Sequence, residues 1–392
     1  MPARLRIIVV LTILLSASAA LPSGHLQAAP PVEVIENLWK GLQPRALVDP
    51  QGLLHVVWYQ GNPKGGNLYH ATRRPDGTWS TPMGGPTKVN STPDSAIAMG
   101  TIRGAQAVLG RGTHMHVIWN GFDASAPQGA VVPMYYARST DNGRTFEPQQ
   151  PVSGDWLLDG GGTVAADAQG HVHVLWHGGI KGGGESARRI FISTSTDDGK
   201  TFGPERAISP EGLGVCACCA MQALCTRDGK LHILYRTSSN NGATRDIACL
   251  ASADGGKTFT HTVIDPWPVN ACPMSSMSLA DLPGGNVAGA WEREGQIYLA
   301  TFMSGASQPS GPLIPAPGKP GQRKHPALAS TPDGHVLLLW AEGTGWNKGG
   351  TLEWQMFDGK LKPTSERGEA GKVPVWGLGS AVATGIGFAV VK

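Results

Sequence analysis

The sequence predicts an all-β fold, a β-propeller of six four-stranded repeats with a composite seventh blade closed by both termini, and three observations carry that reading. The stretch STDNGRTF at 139–146 returns as STDDGKTF at 195–202 and as SADGGKTF at 252–259. A strand-like segment ending in an aromatic residue recurs six times, and both chain ends hold strand-like segments that no complete repeat uses. Self-similarity at a near-constant period means one supersecondary unit used again and again.

The Ser-x-Asp-x-Gly-x-Thr-Phe stretch has a local physical meaning. Its serines step by 56 and then 57 residues. In each copy the Asp (Asp141, Asp197, Asp254) accepts hydrogen bonds from backbone N–H groups just ahead of it. The Gly supplies positive φ, and the Phe begins the next strand and buries its ring. Each copy is a hairpin turn with its own anchor.

The second repeat comprises LLHVVW (53–58), HMHVIW (114–119), HVHVLW (171–176), KLHILY (230–235), NVAGAW (286–291) and HVLLLW (335–340). Turn signals such as DPQG, DAQG, RDGK and LPGG precede these segments. An inner strand comes before each, and a third and an outer strand follow, which is a propeller blade. Trp58, Trp119, Trp176, Tyr235, Trp291 and Trp340 should therefore occupy equivalent buried places. His55, His116, His173 and His232 recur at one position of this strand, which marks them as packing residues.

The chain ends decide the blade count. VPVWGLGSAVATGIGFAVVK at the C-terminus reads as two strands of a further blade, and PVEVIEN near the N-terminus reads as its outer strand. Pairing them removes the exposed sheet edges that invite aggregation. A six-bladed ring is the alternative.

Residues 1–29 are a different object. Arg4 and Arg6 precede the apolar run IIVVLTILL and then small residues, SASAALPSG, the build of a cleavable secretory signal with its cut at about residues 19–29. The run is too short to span a bilayer. Residues 30–392 are then one propeller domain, expected outside the cytoplasm, secreted or periplasmic. A net charge of +3 with 16% charged residues, and no basic run with interleaved aromatics, argues against nucleic acid as a partner. A monomer with no membrane span is expected.

With three Asp boxes, the Ser-x-Asp-x-Gly-x-Thr-Phe turns at 139, 195 and 252, on an exported propeller, the chain resembles the sialidase (neuraminidase) superfamily of BNR-repeat proteins. The resemblance implies a β-propeller with the boxes at the blade periphery and, in an active member, three arginines on the substrate carboxylate, an Asp acid/base and a Tyr nucleophile aided by a Glu. Its first arginine opens the first inner strand, where LQPRALVDPQG (42–52) has Gln43 in that place and Arg45 two positions away. Tyr298 is the last tyrosine, so the catalytic tyrosine pair is expected to be absent. The architecture carries over and the catalytic set does not.

Function then rests on the rim formed by loops that enter the inner strands and leave the aromatic-ended ones. Candidates there are Arg236, Arg245, Asp246, Glu292, Arg293 and His325, with His177, Arg188, Arg323, Lys324, Glu342, Trp346 and Lys348 beside them. Arginine pairs suit a carboxylate or sulfate through bidentate hydrogen bonds. The alternative is that Arg245 and Asp246 form a strand-end ion pair and Arg236 is solvated. His177 and His325 break the histidine repeat and are the better acid/base candidates.

All six cysteines lie between 216 and 272. GVCACCAMQALC opens the inner strand of blade four and NACPMSSM that of blade five. Cys272 is expected to meet Cys216, Cys218 or Cys219 at the channel mouth, as a cross-blade disulfide. With Met221, Met274 and Met277, the same thiols would suit copper as Cu(I); free buried thiols are the third reading. The spacing matches no established zinc pattern. Two function classes stay open: a sialidase-like glycoside hydrolase acting on acidic glycans or another small anion, and a noncatalytic propeller binding a ligand or a soft metal.

Overall fold

Seven small sheets stand in a ring in the computed structural model, which describes residues 29–36, 39–81, 85–100, 104–121, 133–153, 157–179 and 183–392. The expected signal segment lies outside the described residues, apart from Ala29. Blades one to six each begin with a short strand, Leu42–Val48, Gln106–Leu109, Leu157–Ala166, Gln222–Cys225, Met277–Asp281 and Lys324–Ser330. Each then adds two or more antiparallel strands outward. First strands of neighbouring sheets touch all the way round, including Leu42–Val48 against Ser380–Ala383. They line the axis.

The seventh blade is composite, as the chain ends suggested. Ser380–Ala383 pairs antiparallel with Phe388–Val391, and Val32–Ile35 adds to the far side of that strand in parallel register, Val32 opposite Phe388 and Ile35 opposite Val391. The backbone N–H of Lys392 donates to the carbonyl of Ile35 at 3.1 Å, extending the pairing by one residue. Among the described residues no helix is long and apolar enough to cross a membrane.

The six closing aromatics occupy the expected setting. Trp58, Trp119, Trp176, Tyr235 and Trp291 are at most 1% exposed and Trp340 is 5%. Each sits in a different apolar cluster between adjacent sheets. Their packing is shared but their indole hydrogen bonds are not, since Trp119 donates to the Ser95 carbonyl and Trp340 to Glu342.

The boxes form the expected turns. In the first, Ser139 Oγ and the Thr145 backbone N–H both donate to Asp141 Oδ1, at 2.8 and 2.9 Å, and the Thr145 hydroxyl donates to Oδ2 at 2.6 Å. The other two repeat these bonds at Asp197 and Asp254. Each box glycine also meets the preceding blade. Gly143 and Gly199 have φ of 76° and 77°, and a Cβ there would run into His70 and Tyr136. The boxes are therefore inter-blade staples. Asp141→Ala should lower stability by about 1–3 kcal/mol through lost turn hydrogen bonds, read by denaturant unfolding. A variant as stable as the parent would show the turn to be held by backbone alone.

The repeated histidines face these same junctions. His55, His116, His173 and His232 are all at most 1% exposed. His55 meets His70, whose other nitrogen lies 3.1 Å from the Gly143 carbonyl, and His232 accepts from the Gly305 N–H. Burial holds His116, His173 and His232 down to about 4, and His70 to about 3, against an ordinary 6.5. Between pH 6.5 and about 4 the unfolded chain takes up protons that the fold refuses, so stability is lost as pH falls through that window. Melting temperature should fall accordingly, with a shallower slope in His116→Gln. A flat profile over the window would contradict buried neutral histidines.

Candidate functional site

Two entry loops cross at one face of the ring. The run ahead of Gln222 is pinned twice. The Cys216 N–H donates to the Arg236 carbonyl at 2.9 Å, and the Ala220 N–H donates to the Ser275 carbonyl of blade five's entry loop at 3.0 Å. This ties the cysteine runs together although they are distant in sequence. Cys218 and Cys272 form a disulfide with Cα atoms 6.9 Å apart. Cys216 Sγ lies 3.1 Å from Cys218 Sγ and 3.5 Å from Cys219 Sγ. The sulfurs of Cys216, Cys218 and Cys272 are all within 4.8 Å of one another.

Burial is graded across this mouth. Cys216 and Cys219 are buried, Cys218 is half-buried and Cys272 is exposed. Behind the two buried thiols pack Leu234, Ile247, Met277 and Trp291. Met274 is half-buried two residues after Cys272, with φ 49°, whereas Met221 packs in the neighbouring cluster between blades three and four. Cys225 and Cys249 lie apart, their thiols directed to the carbonyls of Thr226 and Leu250. The disulfide joins the two runs as expected, and it leaves Cys216 and Cys219 as free buried thiols.

Cys216 donates its thiol hydrogen to Cys219, and this bond pushes the Cys216 pKa up, with burial adding to it. Burial opposes ionisation of Cys219 as well, but the hydrogen bond from Cys216 and the charge of Arg236 outweigh it and bring that pKa down. Cys219 is the thiol that ionises first. The mouth therefore has a sulfur set with an apolar back and a positive flank.

That positive flank is used inside the fold. Arg236, 1% exposed, donates to the carbonyls of Arg245 at 2.8 Å and Glu292 at 2.5 Å, lies 3.5 Å from the Glu292 carboxylate, and stacks over Trp267 at 5.0 Å. Arg245 pairs with Glu185 at 2.6 Å and also reaches Ser238 and the Ala271 carbonyl. Asp246 accepts from the Trp267 N–H at 2.7 Å, so its carboxylate caps a loop and does not pair with Arg245. Arg293 pairs with Asp265 and covers Tyr298, its guanidinium 4.4 Å from the ring centre. Arg323 pairs with Glu342 and lies over Trp340.

The other rim candidates spread out. His325, 8% exposed, opens the first strand of blade six, its ring 3.3 Å from Ser276 Oγ. Burial, and then the Lys324 charge, hold it to about 3, so it is neutral. Lys324 donates to the Pro273 carbonyl. Arg188 donates to the Val215 carbonyl at 3.0 Å, and His177 is fully buried on the second strand of blade three. Trp346 meets Trp376 edge to face, and Lys348 closes a turn with Gly345.

Three residues of the site were not singled out from sequence. Glu185 is the main one, a carboxylate on a short 3-10 turn after the second strand of blade three; its place in a rim loop with Arg188 was the available signal. Ser238 and Trp267 complete the settings of Arg245 and Arg236. Gln43 is also explained, since its amide nitrogen lies 2.9–3.1 Å from the carbonyls of Ala98, Gly100 and Trp376. It clamps blade seven to the front of the ring at the place where the family resemblance implies an arginine.

Box turns, blade order and a closed ring agree with the sequence match of residues 115–336 to the BNR repeat-like domain. The chain belongs to that family. Among solved structures, this BNR propeller is similar to a Hadza microbial sialidase at 14% identity, covering 84% of this chain and 75% of that one with a TM-score of 0.51. It is similar also to the GH93 α-L-arabinofuranosidase of Fusarium graminearum, at 13% identity, 81% and 93% coverage and a TM-score of 0.54. A third is the α-L-arabinanase of Penicillium chrysogenum, at 13% identity, 85% and 96% coverage and a TM-score of 0.52. At these identities the likeness is one of fold. No curated protein sequence matches.

The disulfide spans 54 residues of sequence, and closing so long a loop stabilises by about 4 kcal/mol in the chain-entropy treatment. Reduction should lower the melting temperature, and peptide mapping should recover Cys218 linked to Cys272. An unchanged melting temperature after complete reduction would mean that the bond adds nothing to stability.

Proposed function

We propose that this BNR propeller is an exported, noncatalytic ligand-binding protein whose site is the thiol mouth of blades four and five. The supporting observation is the convergence of four sulfur atoms where two entry loops cross. The groups that an acidic-glycan hydrolase would use are consumed nearby. Arg236 and Arg245 are buried and paired, Glu292 is 2% exposed with Arg236 against it, and Asp246 caps a loop. A sugar carboxylate reaching either arginine would have to displace a carboxylate already there. Tyr298 lies beneath Arg293, within the sheet of blade five.

Three experiments test the reading. Fluorogenic sialosides, α-L-arabinofuranosides and other acidic glycosides should give no turnover. A thermal-shift screen of small anions and soft metal ions should find a ligand that raises the melting temperature of the parent, more so with concentration, and has no such effect on Cys272→Ser. Glycoside turnover lost in Glu292→Gln at unchanged melting temperature would replace this reading with the hydrolase. Export is tested by sequencing the N-terminus of protein recovered from the periplasm or medium of a Gram-negative host, which should begin after a cut at about residues 19–29.

A further inference from the structure

We propose that the ligand of the mouth is a copper(I) ion, held by the sulfurs of Cys216, Cys218 and Cys272 once the Cys218–Cys272 bond is reduced. The inference rests on the reading of the mouth as a ligand site and names its ligand. Three sulfurs lie within 4.8 Å of one another, close enough to face one ion. They come from two blades held in register by the Ala220-to-Ser275 backbone bond, so the set is built by the fold and not by one flexible loop.

The donor chemistry selects the metal. Thiolates with thioethers nearby suit soft, low-coordinate Cu(I), and Met277 packs in the cluster that contains Cys216 and Cys219. A structural zinc site uses four protein ligands in a closed tetrahedron, whereas the sulfurs that all lie within 4.8 Å of one another are those of Cys216, Cys218 and Cys272. Three thiolates and one Cu(I) carry a net charge of −2. The Arg245 guanidinium, bonded at 3.2 Å to the Ala271 carbonyl next to Cys272, stands beside that charge. Leu234, Ile247 and Trp291 form the apolar back of the site, where soft ligation is not in competition with water.

Loading begins with a two-electron step. A dithiol donor gives two electrons and two protons to the Cys218–Cys272 bond and becomes a disulfide, which leaves two thiols. Cu(I) then binds with release of three thiol protons, from Cys216, Cys218 and Cys272. Exposed Cys272 is the sulfur that the donor can reach.

The test is an anaerobic titration of phosphine-reduced protein with Cu(I) against bicinchoninate. Uptake of one equivalent, with near-ultraviolet thiolate-to-copper absorption, is expected. Cys272→Ser, at the exposed position, should weaken binding at least tenfold with an unchanged circular dichroism spectrum, and Cys216→Ser should do the same. Cys225→Ser, outside the mouth, should bind as the parent does. Equal uptake by unreduced protein, retention of tight binding in Cys272→Ser, or selection of zinc over Cu(I) would overturn the inference. A different ligand that stabilises the parent but not Cys272→Ser would overturn the copper assignment and leave the mouth as the site. Glycoside turnover dependent on Glu292 would remove both.

Discussion

Trp291→Ala is expected to lower the free energy of unfolding by about 3–5 kcal/mol. The side chain is fully buried between blades four and five, beside Leu234, Phe302 and the thiols of Cys216 and Cys219. Its indole N–H also donates to Asp265 at 2.6 Å, the carboxylate that takes Arg293. Truncation opens a cavity and strips one donor from a buried acid whose pKa burial already raises, against the pull of Trp291 and Arg293. Trp291→Phe should recover much of the packing without the hydrogen bond, and Trp176→Ala should match the cavity part alone. Denaturant unfolding measures all three. A loss under about 1 kcal/mol at Trp291 would mean that the blades repack around the gap.

Arg236→Ala should cost about 3–5 kcal/mol, because removing one member of a buried ion pair leaves the other uncompensated. Glu292 is the charge left behind. Burial already raises its pKa, while Arg236 and the Gly295 N–H act in the opposite direction. Without Arg236 the folded-state pKa rises further. The sign follows from linkage, since a carboxyl whose folded pKa lies above its unfolded value binds more protons when folded. The variant should therefore gain stability as pH falls through the raised folded pKa, the gain being complete below the ordinary carboxylate value of about 4. Melts of Arg236→Ala and Arg236→Ala/Glu292→Gln against pH separate the effects. The double variant should show a shallower dependence, and identical pH profiles would place the lost energy elsewhere.

Periodic, local features were legible in the sequence. Asp141, Asp197 and Asp254 form their turns with residues two to four positions away, and the closing aromatics repeat once per blade. The composite blade followed from strand patterns left over at the two ends. Pairings that depend on which loops the ring brings together were less legible. Arg245 finds Glu185 across 60 positions, and Gln43 reaches the carbonyl of Trp376 across 333. The cysteine runs could be placed at one mouth because both open neighbouring inner strands. The choice of Cys218 from three neighbours depended on loop backbone, where Cys216 is drawn inward by its bond to the Arg236 carbonyl.

The parallel clasp between Val32–Ile35 and Phe388–Val391 also sets an order of events during synthesis. Val32–Ile35 emerges before every other described strand, yet its partner follows all six blades, so the ring stays open until Phe388–Val391 has been made. A chain without Phe388–Val391 lacks the clasp and keeps a bare sheet edge at each end of the array. Such edges are templates for pairing with another chain, which leads to aggregation. The topology thus makes closure of the ring depend on one pairing between the two segments farthest apart in the fold's sequence order.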